Sequence, residues 1–279
     1  GRPHIGSILD PLALGEAMAG ATAVVHCAAL TDLWRRDPDD YRRVNRDGSR
    51  RVAEAARAAG ARMVLVSSYT VLVGRARAPA LLDETVELDP AALCGPYPAA
   101  KRAAELDLLD LVANGLDARI VLPSAPVGPG DVHRTPPTRL IADLAAGRLP
   151  ALLDAPMNLV DVEAVAAGIL AALASGRPGR RYLLAGEDAP LSDIAAHVAA
   201  LAGVRPPRAR VPAALALAVA RVEAWLGRWT GRPPAAPLTG VRLALAAPRF
   251  SNARARDELG FAPPPLAETL RRAVAALQG

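Results

Sequence analysis

The sequence predicts a doubly wound α/β domain, with a parallel sheet covered by helices on both faces, followed by a smaller, mainly helical domain. Three observations predict it. Short β-branched runs alternate with Ala-rich helical stretches, the pattern of strands joined by crossover helices. The strand candidates are continuously apolar rather than alternating, as strands buried on both faces are. Past about residue 135 helices take over, separated by Pro-rich joints such as "RPPRARVP" and "GRPPAAP". The expected division is therefore 1–135 and 136–279, with one strand at about 181–186 returning to the main sheet.

Taken in order, the helix candidates of the first part are Pro11–Gly20, Asp37–Gly60 and Pro98–Asn114, each closing near a Gly or Asn stop signal. The strand candidates are Ala23–Ala28 ("AVVHCA"), Met63–Ser67 ("MVLVS") and Ala118–Leu122 ("ARIVL"), all expected to be central. Strand, loop and helix repeat in that order, so the carboxyl ends of the strands form the expected binding edge. The second part offers helices Arg139–Gly147, Val162–Ser175, Ser192–Gly203, Pro212–Gly227 and Pro265–Gln278, and one strand, Tyr182–Ala185.

Composition narrows the function classes. The chain has 279 residues, about half of them apolar, a pI near 9.8 and a formal charge of +5. Its arginines are scattered among alanines and acids rather than clustered with aromatic residues, so a solvated basic surface is expected and a nucleic-acid partner is not. Two cysteines, Cys27 and Cys94, are too few for a disulfide scaffold or a zinc ribbon and fit a reducing cytoplasm. The first ten residues carry no signal-peptide pattern, and Pro212–Gly227 contains Arg221 and Glu223, short of an uninterrupted membrane span. A soluble, cytoplasmic protein is the expectation, with no metal site and no membrane contact. A lipid-surface role for that helix, with Trp225 and Trp229, competes with core packing, which the sequence alone favours.

Chemistry concentrates around the only lysine in the chain, Lys101, in "CGPYPAAK". Tyr97 and Lys101 have the i, i+4 spacing that places two side chains on one helix face. Pro98 suits a first helical turn, so Tyr97 is expected at the helix amino end. There a neighbouring ammonium and the helix dipole both favour the phenolate, moving a poor base with a pKa of about 10 toward a useful value. A compact ammonium also serves a tyrosine and a ribose hydroxyl together in a way a planar guanidinium does not. Ser68, ending the strand "VLVSS", sits at the expected binding edge, where its hydroxyl could donate to a substrate oxygen or cap a turn. Asn45, within a helical run, either bonds a backbone carbonyl or water in a proton path or is an exposed helix residue.

In the order "VVHCAA", "VNRDGS", "VLVSS", "YPAAK", "VLPSAPVGPGD", the chain resembles the extended short-chain dehydrogenase/reductase superfamily, the NAD-dependent epimerase/dehydratases with a Ser-Tyr-Lys active site. The resemblance runs from about Gly6 to the end. Segments such as "MNLVDVEAVAAG" and "FSNARARDELGFAP" look most like hopanoid-associated sugar epimerases and dihydroflavonol 4-reductase-like proteins. It implies a Rossmann-like sheet and NAD or NADP as cofactor. Tyr97 would be the general acid/base, Lys101 would lower its pKa and hold the nicotinamide ribose, Ser68 would orient the substrate oxygen, and Asn45 would complete the catalytic group. Ser7, Ile8, Ala28 and Ala29 would border the adenosine half of the cofactor. Ser67, Pro123 and Ser124 would lie near the nicotinamide, and Leu33, Trp34 and Asn158 would contact substrate. His26 is better read as a packed histidine.

Two departures stand out. No Gly-x-x-Gly-x-x-Gly turn follows a strand, so the opening β-α-β unit is expected to be missing, and Gly6-Ser7 stands where the family commonly has Gly-Asp. The leading expectation is an NAD(P)-dependent oxidoreductase or epimerase moving a hydride to or from a secondary alcohol or ketone of a nucleotide sugar or related small molecule. A dihydroflavonol- or hydroxysteroid-like ketone reductase is one alternative. A non-catalytic, nucleotide-sensing remnant is another, because backbone N–H groups of the absent turn normally hold the pyrophosphate. A homodimer is the candidate assembly.

Overall fold

The computed structural model describes residues 3–75, 81–153, 155–246 and 249–277. Gln278, the expected end of the last helix, lies outside them. In chain order the elements are α1 (Pro11–Met18), β1 (Ala23–His26), α2 (Asp39–Tyr41), α3 (Ser49–Ala58), β2 (Arg62–Val66), β3 (Leu81–Leu82), α4 (Pro96–Ala113), β4 (Ala118–Pro123), β5 (Ala125–Val127), α5 (Pro136–Ala145), β6 (Ala151–Leu153), β7 (Pro156–Asp161), α6 (Val162–Ser175), β8 (Arg181–Leu184), β9 (Glu187–Pro190), α7 (Leu191–Ala202), β10 (Ala209–Val211), α8 (Ala213–Thr230), α9 (Leu238–Ala246), β11 (Arg249–Phe250), α10 (Ala253–Leu259) and α11 (Leu266–Ala276).

The main sheet is parallel, in the order β1-β2-β4-β8, with Val66 opposite Val121 and Pro123 opposite Leu184. Alternate side chains of its strands enter two different cores. Met63, Leu65, Ile120 and Leu122 pack with Val52, Leu108 and Leu111 from α3 and α4. Val64, Val121, Tyr182 and Leu184 point the other way, onto Val165 and Ile169 of α6 and Leu259 of α10. This two-sided burial is why β2 and β4 carry apolar residues at consecutive rather than alternate positions, Met63–Val66 and Ile120–Leu122.

The outermost strand departs from expectation. Ala23–Ala28 is predicted to be central and to run to Ala28. Instead β1 stops at His26 and pairs only with β2 among the described residues, leaving Val25 41% exposed. An apolar run reports burial only where a neighbour covers it, and that neighbour is not encoded in the run itself. The predicted helix Asp37–Gly60 is also interrupted: between α2 and α3, Arg42–Gly48 forms a π-helical segment. Gly48 within it is met at close range by Ile8, whose Cδ1 would lie 2.6 Å from an added Cβ.

The second part is less purely helical than expected. Beside α5, α7 and α11 it contributes β7 and β9, which join β5 of the first part in a three-stranded sheet, and the short parallel pair β6-β10. These strands are only three to six residues long, too short for a period-two signal, and β5 carries a proline at its centre. The predicted helix Arg139–Gly147 begins earlier, at Pro136, which sets the first turn. Helix α8 runs to Thr230, and its Trp225 and Trp229 are exposed, contrary to the expectation that they pack into a core.

Candidate active site

The carboxyl ends of β1, β2 and β4 and the start of α4 meet around Lys101. Helix α4 begins at Pro96, with Gly95 as its cap, so Tyr97 stands in the first turn and Lys101 one turn below. Both are buried. Lys101 Nζ donates to the carbonyl of Val66, the last residue of β2, at 2.6 Å. Its charge is felt by His26 and Cys27 at the end of β1, so the ammonium sits between two strand ends. Burial brings its pKa down to about 8, opposed by the Glu105 carboxylate one further turn along α4.

Tyr97 moves against expectation. Burial raises the phenol's pKa, and the opposing influence is a hydrogen bond from Ser68, not the ammonium of Lys101. The expected ordering of effects fails because Tyr97 is enclosed by Tyr41, Ala100, Leu30 and Leu33, and an apolar cage penalises the phenolate. Tyr41 meets its ring edge-on at 6.0 Å. Ser68 follows β2 and caps the next turn. Its Oγ accepts from Thr70 Oγ1 at 3.0 Å and Thr70 N at 3.3 Å. With its lone pairs taken, the Ser68 O–H is left to donate toward Tyr97 or a substrate oxygen.

Asn45 is fully buried rather than exposed. Its Oδ1 accepts from Leu30 N at 2.7 Å and its Nδ2 donates to Leu30 O at 2.9 Å. It is a two-pronged clamp on the loop leaving β1, presented from the π-helical segment; such bulges recur where a side chain must be aimed. Below it, Ser49 Oγ donates to Asn45 O at 2.7 Å and lies 2.9 Å from His26 Nε2. A serine whose proton is committed to a carbonyl requires His26 to carry its hydrogen on Nε2. Burial and the Lys101 charge push His26 down to about 4, so it is a neutral, packed histidine.

Ser67 and Ser124 differ. Ser67 N donates to Val121 O at 2.8 Å and its hydroxyl is committed to Glu105 at 2.5 Å. Ser124, just past β4, is buried, and its Oγ has no partner among the described residues. Pro123 ends β4 beside it, also buried. Ala28 is exposed and Ala29 half-buried on the loop after β1, while Ser7 is an exposed turn residue whose Oγ accepts from Leu9 N, and Ile8 is half-buried against the main core. Asn158 does not offer its amide to a ligand: Nδ2 donates to Asp188 and Gly186 O, and Oδ1 accepts from Gly186 N. Leu33 packs against the Tyr97 cage, and Trp34 lies against α8, where its ring would be 3.2 Å from a Cβ at Gly227. A cleft of about 690 Å³ opens along Leu33, Trp34, Leu140, Leu149, Arg35 and Arg139.

Sequence reasoning missed the ionic group beneath the site. Glu105 is wholly buried, paired with Arg102 Nη1 at 3.0 Å and Arg181 Nη2 at 3.3 Å as well as Ser67. Arg181, from β8, also donates to the carbonyls of Glu84 and Val86. The available signal was the spacing Tyr97, Lys101, Glu105, three residues on one helix face. Among the described residues no group of His, Cys, Asp and Glu could hold a metal ion, and no helix is long and apolar enough to cross a membrane.

Residues 2–185 match the model of the NAD dependent epimerase/dehydratase family. Among solved structures, that of gox2253 is 34% identical and superposes with a TM-score of 0.84, covering 99% of this chain and 84% of that one. A protein of Synechocystis sp. provisionally named a dihydroflavonol 4-reductase is 32% identical over 94% of this chain and 77% of its own length. Sterol demethylase protein B of Methylococcus capsulatus is 30% identical over 92% of this chain and 79% of its own. Structures sharing the fold hold NADPH or NAD. A parallel α/β sheet with its polar residues gathered at the strand ends, matched over two thirds of its length by one family, shows that the chain belongs to the NAD-dependent epimerase/dehydratase family of enzymes.

Proposed function

We propose that this protein is a reductase that interconverts a ketone and a secondary alcohol on an apolar, ring-bearing small molecule, using NADH or NADPH. The observation that carries the reading is the buried Ser68, Tyr97 and Lys101 group with a phenol held in its protonated form, ready to give a proton rather than take one. The apolar start of the cleft at Leu33 and Trp34 supports the substrate class, as do relatives named for a flavonoid and a sterol reaction.

The residues fit a nicotinamide dinucleotide. Ser124 Oγ is a buried hydroxyl without a partner among the described residues, beside the strand end where a carboxamide or ribose would lie. Lys101 spends one N–H on Val66 and has two left for a ribose. Ala28 and Ala29 present little side chain, allowing close approach on the adenosine side, where Ser7 and Ile8 would also lie, with Ser67 and Pro123 lining the nicotinamide end. When bound, the reduced nicotinamide supplies the hydride. Tyr97 gives its phenolic proton to the carbonyl oxygen as that oxygen gains charge, and Ser68 donates a hydrogen bond to the same atom. The resulting phenolate recovers a proton from solvent. Asn45 contributes indirectly, by fixing the Leu30 loop that closes the cage. Asn158 acts as a brace between β7 and the turn at Gly186.

Purified protein offered NADPH or NADH with cyclic ketones tests this by loss of reduced-cofactor absorbance. Tyr97→Phe is expected to lower kcat by about a hundredfold or more with cofactor affinity retained; an unchanged kcat would refute the assignment. Arg35, Arg36 and Arg139 around the same cleft favour a second reading, a nucleotide-sugar substrate whose diphosphate they would bind. Conversion of such a sugar with no net cofactor change would select epimerisation. Calorimetry with both cofactors tests the non-catalytic alternative, which micromolar binding would exclude.

A further inference from the structure

Helix α8 is built inside out for a globular helix. Ala220 and Gly227 are its buried positions, whereas Leu215, Val219, Val222, Trp225, Leu226 and Trp229 are exposed. At about 100° per residue these six fall on one continuous stripe covering roughly a third of the circumference. Trp225 and Trp229 are 60% and 76% exposed and stack edge-to-face at 6.4 Å, forming a single aromatic surface. Soluble helices place large apolar side chains inward, so a stripe of this size marks a contact surface.

The charge around the stripe selects its partner. Residues 203–237, which contain α8 and its flanking joints, hold six arginines and one glutamate, a net charge of +5, equal to the formal charge of the entire chain. The single acid, Glu223, is engaged by Ala236 N. Arg221 and Arg228 are exposed and, seven residues apart, lie along the same edge of the stripe. Tryptophan at the boundary, aliphatic residues beneath it and arginines at the rim are the chemistry of an anionic lipid surface. The arginines at the rim oppose pairing of two copies through this face, since each copy would bring Arg221 and Arg228 against the other's.

We propose that α8 docks this protein on the surface of an anionic bilayer, its stripe entering the headgroup boundary with Arg221 and Arg228 against lipid phosphates. This is a peripheral contact and requires no spanning helix. It is independent of the reaction proposed above, although Trp34 packs directly on Gly227 of α8, so docking would bring the cleft beside the membrane.

The test is flotation of the full chain with vesicles of phosphatidylcholine alone or with one-third phosphatidylglycerol, followed by tryptophan emission. Binding to the anionic vesicles, weakened by high salt, with a blue shift of emission, is expected. Arg221→Gln/Arg228→Gln should weaken it by about thirtyfold, and Trp225→Ser/Trp229→Ser should abolish the blue shift while leaving the circular-dichroism melt unchanged, because these side chains are exposed. Equal partition on neutral and anionic vesicles would overturn the proposal. So would binding that survives the tryptophan substitutions, or a dimer in sedimentation that the same substitutions dissolve without any vesicle binding.

Discussion

Replacing Lys101 with methionine should stabilise the fold while disabling the site. The ammonium is buried and its pKa falls from 10.5 to about 8, which makes the charged form about 3 kcal/mol less favourable in the folded protein than in water. Methionine removes that cost and keeps the stem. It also strands the carbonyl of Val66, now bonded at 2.6 Å, at a cost of about 1–2 kcal/mol. The net gain at neutral pH is therefore about 1–2 kcal/mol, a rise in melting temperature of roughly 2–4 °C for each kcal/mol. The sign with pH follows from a lowered amine pKa. The wild-type penalty is fully present below pH 8 and disappears as pH rises toward 10.5, because in that window the unfolded chain binds the proton that the folded chain does not. Urea denaturation of both proteins across this range should show the advantage of Lys101→Met vanishing and then reversing, because the stranded Val66 carbonyl remains, the Tyr97 titration cancelling between the two. A variant less stable than wild type at neutral pH, or a gap that does not change with pH, would refute the claim that burial dominates at Lys101. Reductase turnover should be lost in the same variant, a stability gained at the expense of function.

Glu105→Gln should lower stability by about 3–5 kcal/mol, because Arg102 and Arg181 then lie buried without a counter-charge; a urea midpoint shift with unchanged slope is the readout. His26, neutral in the fold with a pKa of about 4, should cost about 3 kcal/mol of stability as pH falls from 6.5 to 4, when the unfolded chain takes up a proton that the folded one refuses. His26→Gln should flatten that acid limb, and a limb of unaltered steepness in the variant would sink the assignment. Ser124→Ala should leave the cofactor-free melt within about 0.5 kcal/mol, since its hydroxyl has no partner among the described residues, yet weaken cofactor binding by about fivefold in calorimetry.

The strands of the main sheet, the Tyr97 and Lys101 spacing and the edge position of Ser68 were legible because each is written within a few neighbouring residues. Periodicity reports β2 and β4, and an i, i+4 pair reports one helix face whatever packs upon it. The engagement of Asn45 with Leu30, of Ser67 with Glu105, and of Asn158 with Gly186 was not legible, since each partner lies between 15 and 38 residues away. The strands of the second part were hidden by their brevity.

By itself the sequence determined the parallel α/β sheet, the family and the helix-face pairing of Tyr97 with Lys101, all carried by local pattern. Only the tertiary structure decided the electrostatic outcome and the surfaces. Whether a phenol is made more or less acidic depends on how completely distant residues exclude water from it, and whether two tryptophans form a core or a docking face depends on which helix, if any, comes to cover them.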